Sequence, residues 1–383
     1  MRRMRRLAAI VAITTACAVR IEAEDEASLH PRECSDTAGF ASVMVRGEGD
    51  MARIVVASDG SGDFKTVQAA VDAVPDGARM WTQVYIKNGT YDGFVNIPAG
   101  KGKIVLRGED REKTILQSST FQQQTLKDGR TWNRVDYTIT NCGDDVILAD
   151  LTVRNLTYQE HPKTGAPWDI AVQNRADRFI CHNVTVLGRH NAFDSRAPAG
   201  SRFYVSNSFI SGETHFLAIF DNSGVIENTT LCYSSVTGRP NASAIFKRGD
   251  PEQSLADRTK LVILNCTLTV PSSQRKMLNV CPNLWDYGAV VYYIGNTFEK
   301  GCRWGRFARI ARQNHNGKIW VFIHGNKDMP PLGDEGLKNP EGGPMVQQIT
   351  RERADEMTAE NVLAGKDGWN PKNVLAQLLP RVR

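Results

Sequence analysis

Phe179-Ile180-Cys181-His182-Asn183-Val184-Thr185-Val186-Leu187 sets apolar side chains at alternate positions on either side of an Asn, and 203–210, 225–231, 261–268 and 291–298 repeat the pattern. The central residues are Asn183, Asn207, Asn228, Asn265 and Asn296, at successive spacings of 24, 21, 37 and 31 residues. Alternation describes a strand with one buried face, and a repeat of this length with variable insertions describes strands stacked as the coils of a solenoid. An Asn at one point of each coil suits a tight bend, because it tolerates a left-handed backbone and can bond its stacked neighbours through its amide. Val184 and Val186 should share one face, and Phe209, two residues past its own Asn, should take the other. A β-sandwich is the alternative, but sandwich strands recur roughly every 8–12 residues. The expected fold is all-β, a right-handed parallel β-helix.

Length and composition agree with a solenoid. A chain of 383 residues exceeds one ordinary core, yet coils can be added along one axis without splitting the protein into domains. The formal charge of +5 comes mostly from residues 1–23, where Arg2, Arg3, Arg5, Arg6 and Arg20 stand against Glu22. Without them the balance is about +1, which gives no basis for nucleic-acid binding. The same 23 residues read as an export signal: an Arg-rich start, an apolar run over 7–19, and small residues at Ala16 and Ala18 before a cut. The run is too short for a membrane span. Residues 24–50 are acidic and lack periodicity, whereas the sequence is strand-like from Met51 onward. The expected division is therefore a signal peptide over 1–23, a linker or extension over 24–50, and the β-helix domain over 51–383. Use of the leader makes the protein secreted or periplasmic, and a start at Met51 makes it cytoplasmic.

The ends of the solenoid need covering. Asp63 is placed to accept bonds from the first amides of a helix whose Val67, Ala70, Val71 and Val74 share one face until Pro75 ends it. That short helix is the expected N-terminal cap. Residues 358–364 form a second helical pattern, followed by the turn-rich 365–371, and read as a C-terminal tail along the coils. Of the eight Cys, Cys181, Cys232 and Cys266 lie in or beside the repeated strands, where a thiol serves as a small hydrophobe, and no pair has zinc-ligand spacing.

Specific motifs at both ends carry a resemblance. The run Asp59-Gly-Ser-Gly-Asp63-Phe-Lys-Thr-Val67-Gln68-Ala69-Ala70-Val71, then Ile86-Lys-Asn-Gly89-Thr90-Tyr91, then Leu106-Arg-Gly108, resembles the opening of pectin methylesterases. Glu360-Asn361-Val362-Leu363-Ala364-Gly365 and Gly368-Trp369-Asn370-Pro371 are similar to the end of bacterial members. Arg248-Gly-Asp250-Pro251-Glu-Gln253 before Asn265-Cys266-Thr267 fits the middle coils. The resemblance implies an enzyme in which one Asp attacks the methyl ester of a polyuronide and a second Asp is general acid and base. It also implies Gln side chains that hold the oxyanion and an Arg that fixes the nucleophile.

This chain departs from that pattern at each catalytic place. Where the family reads Tyr-Gln-Asp-Thr-Leu, the chain reads Arg189-His190-Asn191-Ala192-Phe193, so an amide stands in the nucleophile's place and His190 in that of a Gln. Where the family reads Gly-Thr-Val-Asp-Phe-Ile-Phe-Gly, the chain reads Gly212-Glu213-Thr214-His215-Phe216-Leu217-Ala218-Ile219, which puts His215 at the acid/base position. The other Gln position falls on or beside Trp168. Leu-Gly-Arg-Pro-Trp becomes Cys281-Pro282-Asn283-Leu284-Trp285, which keeps the Trp and replaces the Arg with Asn283.

Other residues in these segments offer further chemistry. Ser195 with a His base would make a nucleophile, and Asp194, Glu213 and Asp221 lie nearby in sequence. His190 and His215 lack a third metal ligand, so no metal and no cofactor is expected. Trp168, Trp285, Tyr287 and Phe220 suit a sugar-stacking cleft, and Arg175, Arg178, Arg189 and Arg196 suit attraction of a polyuronide. Two functions follow. One is a secreted carbohydrate esterase of cell-wall pectin, or of another acylated glycan with His215 as base. The other is a pseudoenzyme that binds pectin or a related polyuronide. A lyase lacks its calcium-binding acidic cluster and Arg base here. Neither nucleic acid nor membrane is an expected partner, and a monomer is expected.

Overall fold

The computed structural model describes residues 46–47 and, from 51 to 379, all residues except 120–121, 126–130, 135–136, 161–168, 214, 235–244, 251–252, 272–277, 280–281, 284–287, 304–318 and 332–342. Every described residue belongs to one compact unit, Val43–Arg383. The export signal read over 1–23 lies outside the described residues. Arg46–Gly47 pairs antiparallel with Met51–Val56, so the stretch read as a linker ends in a short strand on the edge of a sheet.

Three sheets of twelve, eight and seven strands, parallel apart from the Arg46–Gly47 edge strand, run along the coils of a right-handed β-helix. One coil passes through Phe179–His182 of the long sheet, Thr185–Leu187 of the eight-stranded sheet and Phe193–Ser195 of the seven-stranded sheet. The next passes through Arg202–Ser206, Phe209–Gly212 and Leu217–Ile219, each paired in parallel register with its predecessor. Thr185 pairs with Phe209 and Val186 with Ile210, so Val184 and Val186 face the core while Phe209 faces out. Inside, Phe193 packs between Phe179 and Phe203, with ring centroids 6.3 and 5.3 Å away.

A left-handed bend follows each strand of the long sheet from Val146–Ala149 to Trp320–His324. Asp150, Asn183, Asn207, Asn228 and Asn265 have φ of 54, 54, 51, 51 and 51°, and their amides bond to carbonyls of the following coil. Asn183 donates its side-chain amide to Asp150 at 2.7 Å, which is the stacking expected of this position. Asn296 breaks the series. Ile294 pairs with Leu264, so Gly295, with φ of 64°, stands opposite Asn265, and Asn296 comes one residue later. Glycine takes the left-handed conformation without a Cβ clash. The displaced Asn296 turns inward, where it accepts from the Cys266 amide at 2.8 Å and donates to the Ile263 carbonyl at 2.8 Å.

The cap helix is Val67–Asp72, with Val67, Ala70 and Val71 buried together with Val74. Its N-cap is Thr66, whose hydroxyl accepts from Ala69, and not Asp63. Asp63 instead accepts from the Val55 amide at 2.8 Å, tying the loop back to the first strand. At the other end the expected short helix is Ala359–Leu363, capped by Thr358. Two further helices flank it, Arg351–Asp355 and Pro371–Leu378, the latter with Asn370 as cap and Pro371 in its first turn. Ala354, Met357, Leu363, Trp369 and Leu375 cover Ile147, Ile180, Tyr204, Val225 and Val262 on the outer face of the long sheet. That sheet is buried on both faces, which explains uninterrupted apolar runs such as Leu261–Leu264. Cys181, Cys232 and Cys266 are buried free thiols.

Asn207 is exposed, so its bend isolates the backbone requirement. Asn207→Ala should lower unfolding stability by about 1 kcal/mol, the cost of a left-handed L-residue, and Asn207→Gly should lose much less. Urea denaturation midpoints measure both. Equal losses would show that the bend does not depend on a left-handed residue.

Candidate functional site

The seven-stranded sheet carries the residues singled out in the sequence. Its strands include Ile170–Asn174, Phe193–Ser195, Leu217–Ile219, Ile245–Lys247 and Pro282–Asn283, in adjacent order. Gln173, Asp194, Ala218, Phe246 and Asn283 share one register row, so Asn283 stands three strands from Asp194. Alternation puts the neighbours of that row in the core: Phe193, Leu217 and Ile219 are among its apolar residues.

Two stacked turns of equal length lead into the sheet. Gly188 and Gly212 hold corresponding positions in them, and the Gly188 amide bonds the Ser211 carbonyl at 3.1 Å. A Cβ on Gly212 would lie 2.5 Å from the Gly188 carbonyl oxygen and 2.6 Å from Phe216 Cβ, so only glycine lets the turns nest. Each turn then takes a left-handed residue, Asn191 with φ of 53° and His215 with φ of 46°, two residues before paired Phe193 and Leu217. They therefore occupy equivalent places on successive coils.

The His190 and His215 rings meet edge to face, their centroids 5.7 Å apart. Burial pulls His215 down to about 4. It pulls His190 down to about 3, aided by the charges of His215 and Arg189. Both rings are neutral at pH 7. Asn191 is only 5% exposed and donates its amide to Asp194 at 2.9 Å, so its side chain is closed over and does not lie open in a groove.

Two of the buried carboxylates here are each held by an Arg. Both Asp194 oxygens accept from Arg196 Nε at 3.0 Å. Arg189 Nε donates to Asp169 at 2.8 Å and its guanidinium lies 4.2 Å over the Tyr158 ring. Burial pushes both carboxyls up, and the Arg partners oppose it. Ser195, read as a possible nucleophile, faces the core: it is fully buried and its Oγ accepts from Asn174 at 3.3 Å. Glu213 is buried too. Arg178 stands apart at the start of a long-sheet strand, bonded to Asp145 and Asp177. Phe220 lies under the Arg196 guanidinium at 4.4 Å. Trp168, Trp285 and Tyr287 lie outside the described residues. Among the described residues, no three His, Cys, Asp or Glu side chains gather to hold a metal ion, and no helix is long and apolar enough to cross a membrane.

The family model for Pectinesterase matches residues 53–284, well over half of the chain. The chain belongs to the pectinesterase family. It is 28% identical to a pectinesterase of Daucus carota over 203 residues, covering 52% of this chain and 59% of that protein. It is 28% identical to probable pectinesterase 67 of Arabidopsis thaliana over 205 residues, covering 51% of this chain and 56% of that protein. The chain thus spans little more than half the length of these relatives. Among solved structures it is similar to pectin methylesterase from carrot, with a TM-score of 0.63 at 22% identity, covering 84% of this chain and 95% of that one. It is also similar to pectin methylesterase PemA from Erwinia chrysanthemi, with a TM-score of 0.61 at 18% identity, covering 83% and 98%. These likenesses show the same fold.

Sequence reading missed Arg248 and Lys247 as members of this region. Lys247 is completely buried and donates to the carbonyls of Phe220 and Asn222 at 2.7 and 3.1 Å and to Thr259 Oγ1 at 3.0 Å. Strand parity could have found it, since Ile245 two residues earlier is a core residue.

The ring titrations are directly measurable. The unfolded chain takes protons near 6.5 and the folded rings only near 4 and 3, so this pair weakens the fold as pH falls from 6.5 towards 4. Ring nitrogen NMR should show His190 and His215 unprotonated at pH 5.5, and His190→Gln with His215→Gln should flatten part of the acid-side loss of stability. A ring that titrates near 6.5 would contradict the burial argument.

Proposed function

We propose that this pectinesterase-family protein binds pectin-like polyuronide over the seven-stranded sheet and does not hydrolyse methyl esters by the two-carboxylate route. One observation supports the reading: Asn191, an amide where the family resemblance implies a catalytic Asp, donates to Asp194, while Arg196 and Arg189 hold Asp194 and Asp169. An amide has no ionised oxygen with which to attack an ester. An ester hydrolase with His215 as base is the weaker reading. A general base works best with a pKa near the operating pH, and burial holds this ring at about 4. Export through the leader read in residues 1–23 would deliver the binder to extracellular polymers.

The purified protein should sediment with pectin yet release no methanol from highly methylated pectin above a protein-free control. His215→Ala should leave polymer affinity within a few-fold. Loss of a working base would instead cost about a hundredfold in turnover or more. Methanol release at the rate of an ordinary family member would overturn the reading.

The triple variant Asn191→Asp, His215→Asp, Asn283→Arg tests how the site was lost. It restores each side chain that the family resemblance implies at those three places. We expect a folded but inert protein, because Arg196 and Arg189 remain locked to Asp194 and Asp169. Methanol release by the triple variant would show that these three side chains alone separate the protein from an esterase.

A further inference from the structure

We propose that the surface over the seven-stranded sheet is selective for the unesterified, carboxylate-bearing form of the polyuronide, read by a ladder of Arg175, Arg196 and Arg248 with Phe220 set among them. This rests on the reading that the protein binds such polymers and names which chemical form it takes.

The ladder follows from strand register. Asn174, Ser195, Ile219 and Lys247 are paired in sequence across four adjacent strands, and all four side chains point into the coil. The next residue of each strand, Arg175, Arg196, Phe220 and Arg248, therefore points out, on adjacent rungs about 4.8 Å apart. Backbone bonds extend the ladder to these residues: Arg196 to Asn174 at 2.8 Å, Phe220 to Ser195 at 2.9 Å and Arg248 to Ile219 at 2.9 Å. Arg175 and Arg248 are exposed, whereas Arg196 is half-buried with its guanidinium 4.4 Å from the centre of the Phe220 ring. A polyuronide crossing the strands can bring carboxylates to Arg175, Arg196 and Arg248 while a sugar lies near Phe220.

The surroundings bound the track. Arg175 forms no ion pair among the described residues, and Arg248 meets Asp221 only at 3.8 Å, so both present charge to solvent. Arg248 itself lines a cleft with Asp221, Asp250 and Asp257, so the track ends against an acidic wall at this rung. Buried Lys247 bonds the carbonyls of Phe220 and Arg248, fixing two rungs from beneath. A methyl ester removes the charge these guanidinium groups recognise. An esterase gains from holding the ester, and this row is built for the acid.

Binding of polygalacturonate and of highly methylated pectin to the full chain tests the proposal, with Arg175→Ala and Arg248→Ala as variants and Lys113→Ala as a distant control. Arg196 is left intact because its removal would leave Asp194 buried without a partner. Polygalacturonate should bind more tightly than methylated pectin and weaken with salt. Each Arg variant should lose about three- to fivefold in affinity for it, the scale of one exposed charge contact, while Lys113→Ala changes nothing. Equal binding of both polymers with neutral Arg variants would overturn the ladder and leave polyuronide binding standing. No binding of either polymer would overturn both, and equally tight binding of dextran sulfate would reduce the ladder to general polyanion adhesion.

Discussion

From Val146–Ala149 to Trp320–His324, each strand of the long sheet turns at one residue, and that residue must adopt a left-handed backbone that most side chains resist. Asp150, Asn183, Asn207, Asn228, Asn265, Gly295 and Gly325 meet this constraint in turn, with φ between 51 and 64°. Everything else depends on their alignment. Because the side-chain period of a strand is two, a slip of one residue would turn each coil's core face outward. The bends fix the register of the long sheet, the following strands inherit it, and the rows of the seven-stranded sheet come into line. Even the exception at Asn296 keeps register, since a glycine takes the bend and the Asn becomes an internal bond donor.

The same register decides what chemistry the surface can perform. It places Asn191 over His215 and puts Asp194 within reach of both Asn191 and Arg196. A carboxylate in that setting is buried, hydrogen-bonded and neutralised by a guanidinium. Removing one partner of a buried ion pair costs several kcal/mol, which makes the pairs of Asp194 and Asp169 features of stability. The two imidazoles meet edge to face, and burial holds both neutral. Outside this closed centre, the exposed guanidinium groups face solvent and remain available to a polymer.

Much of the fold was legible because alternation, bend residues and period leave direct marks in the sequence. The N-cap was misplaced at Asp63 because Asp63 and Thr66 are both good caps, and only the folded loop shows which amide each reaches. The helix Pro371–Leu378 escaped notice because the Gly- and Pro-rich run before it reads as a turn, although Asn370-Pro371 is itself a helix start. At the site, residue types and their order could be read, and Asn191 was recognisable as an amide. What could not be read was pairing: Arg189 with Asp169, Arg196 with Asp194, and the inward direction of Ser195 and Lys247 depend on which rung lies beside which.

A crystal structure of the protein soaked with a partly methylated oligouronide tests the central claim most directly. The account predicts intact methyl esters after soaking, with unesterified carboxylates bonded to Arg175 and Arg196 and the polymer crossing the strands above Asp194. A demethylated sugar seated against Asn191 and His215 would contradict it.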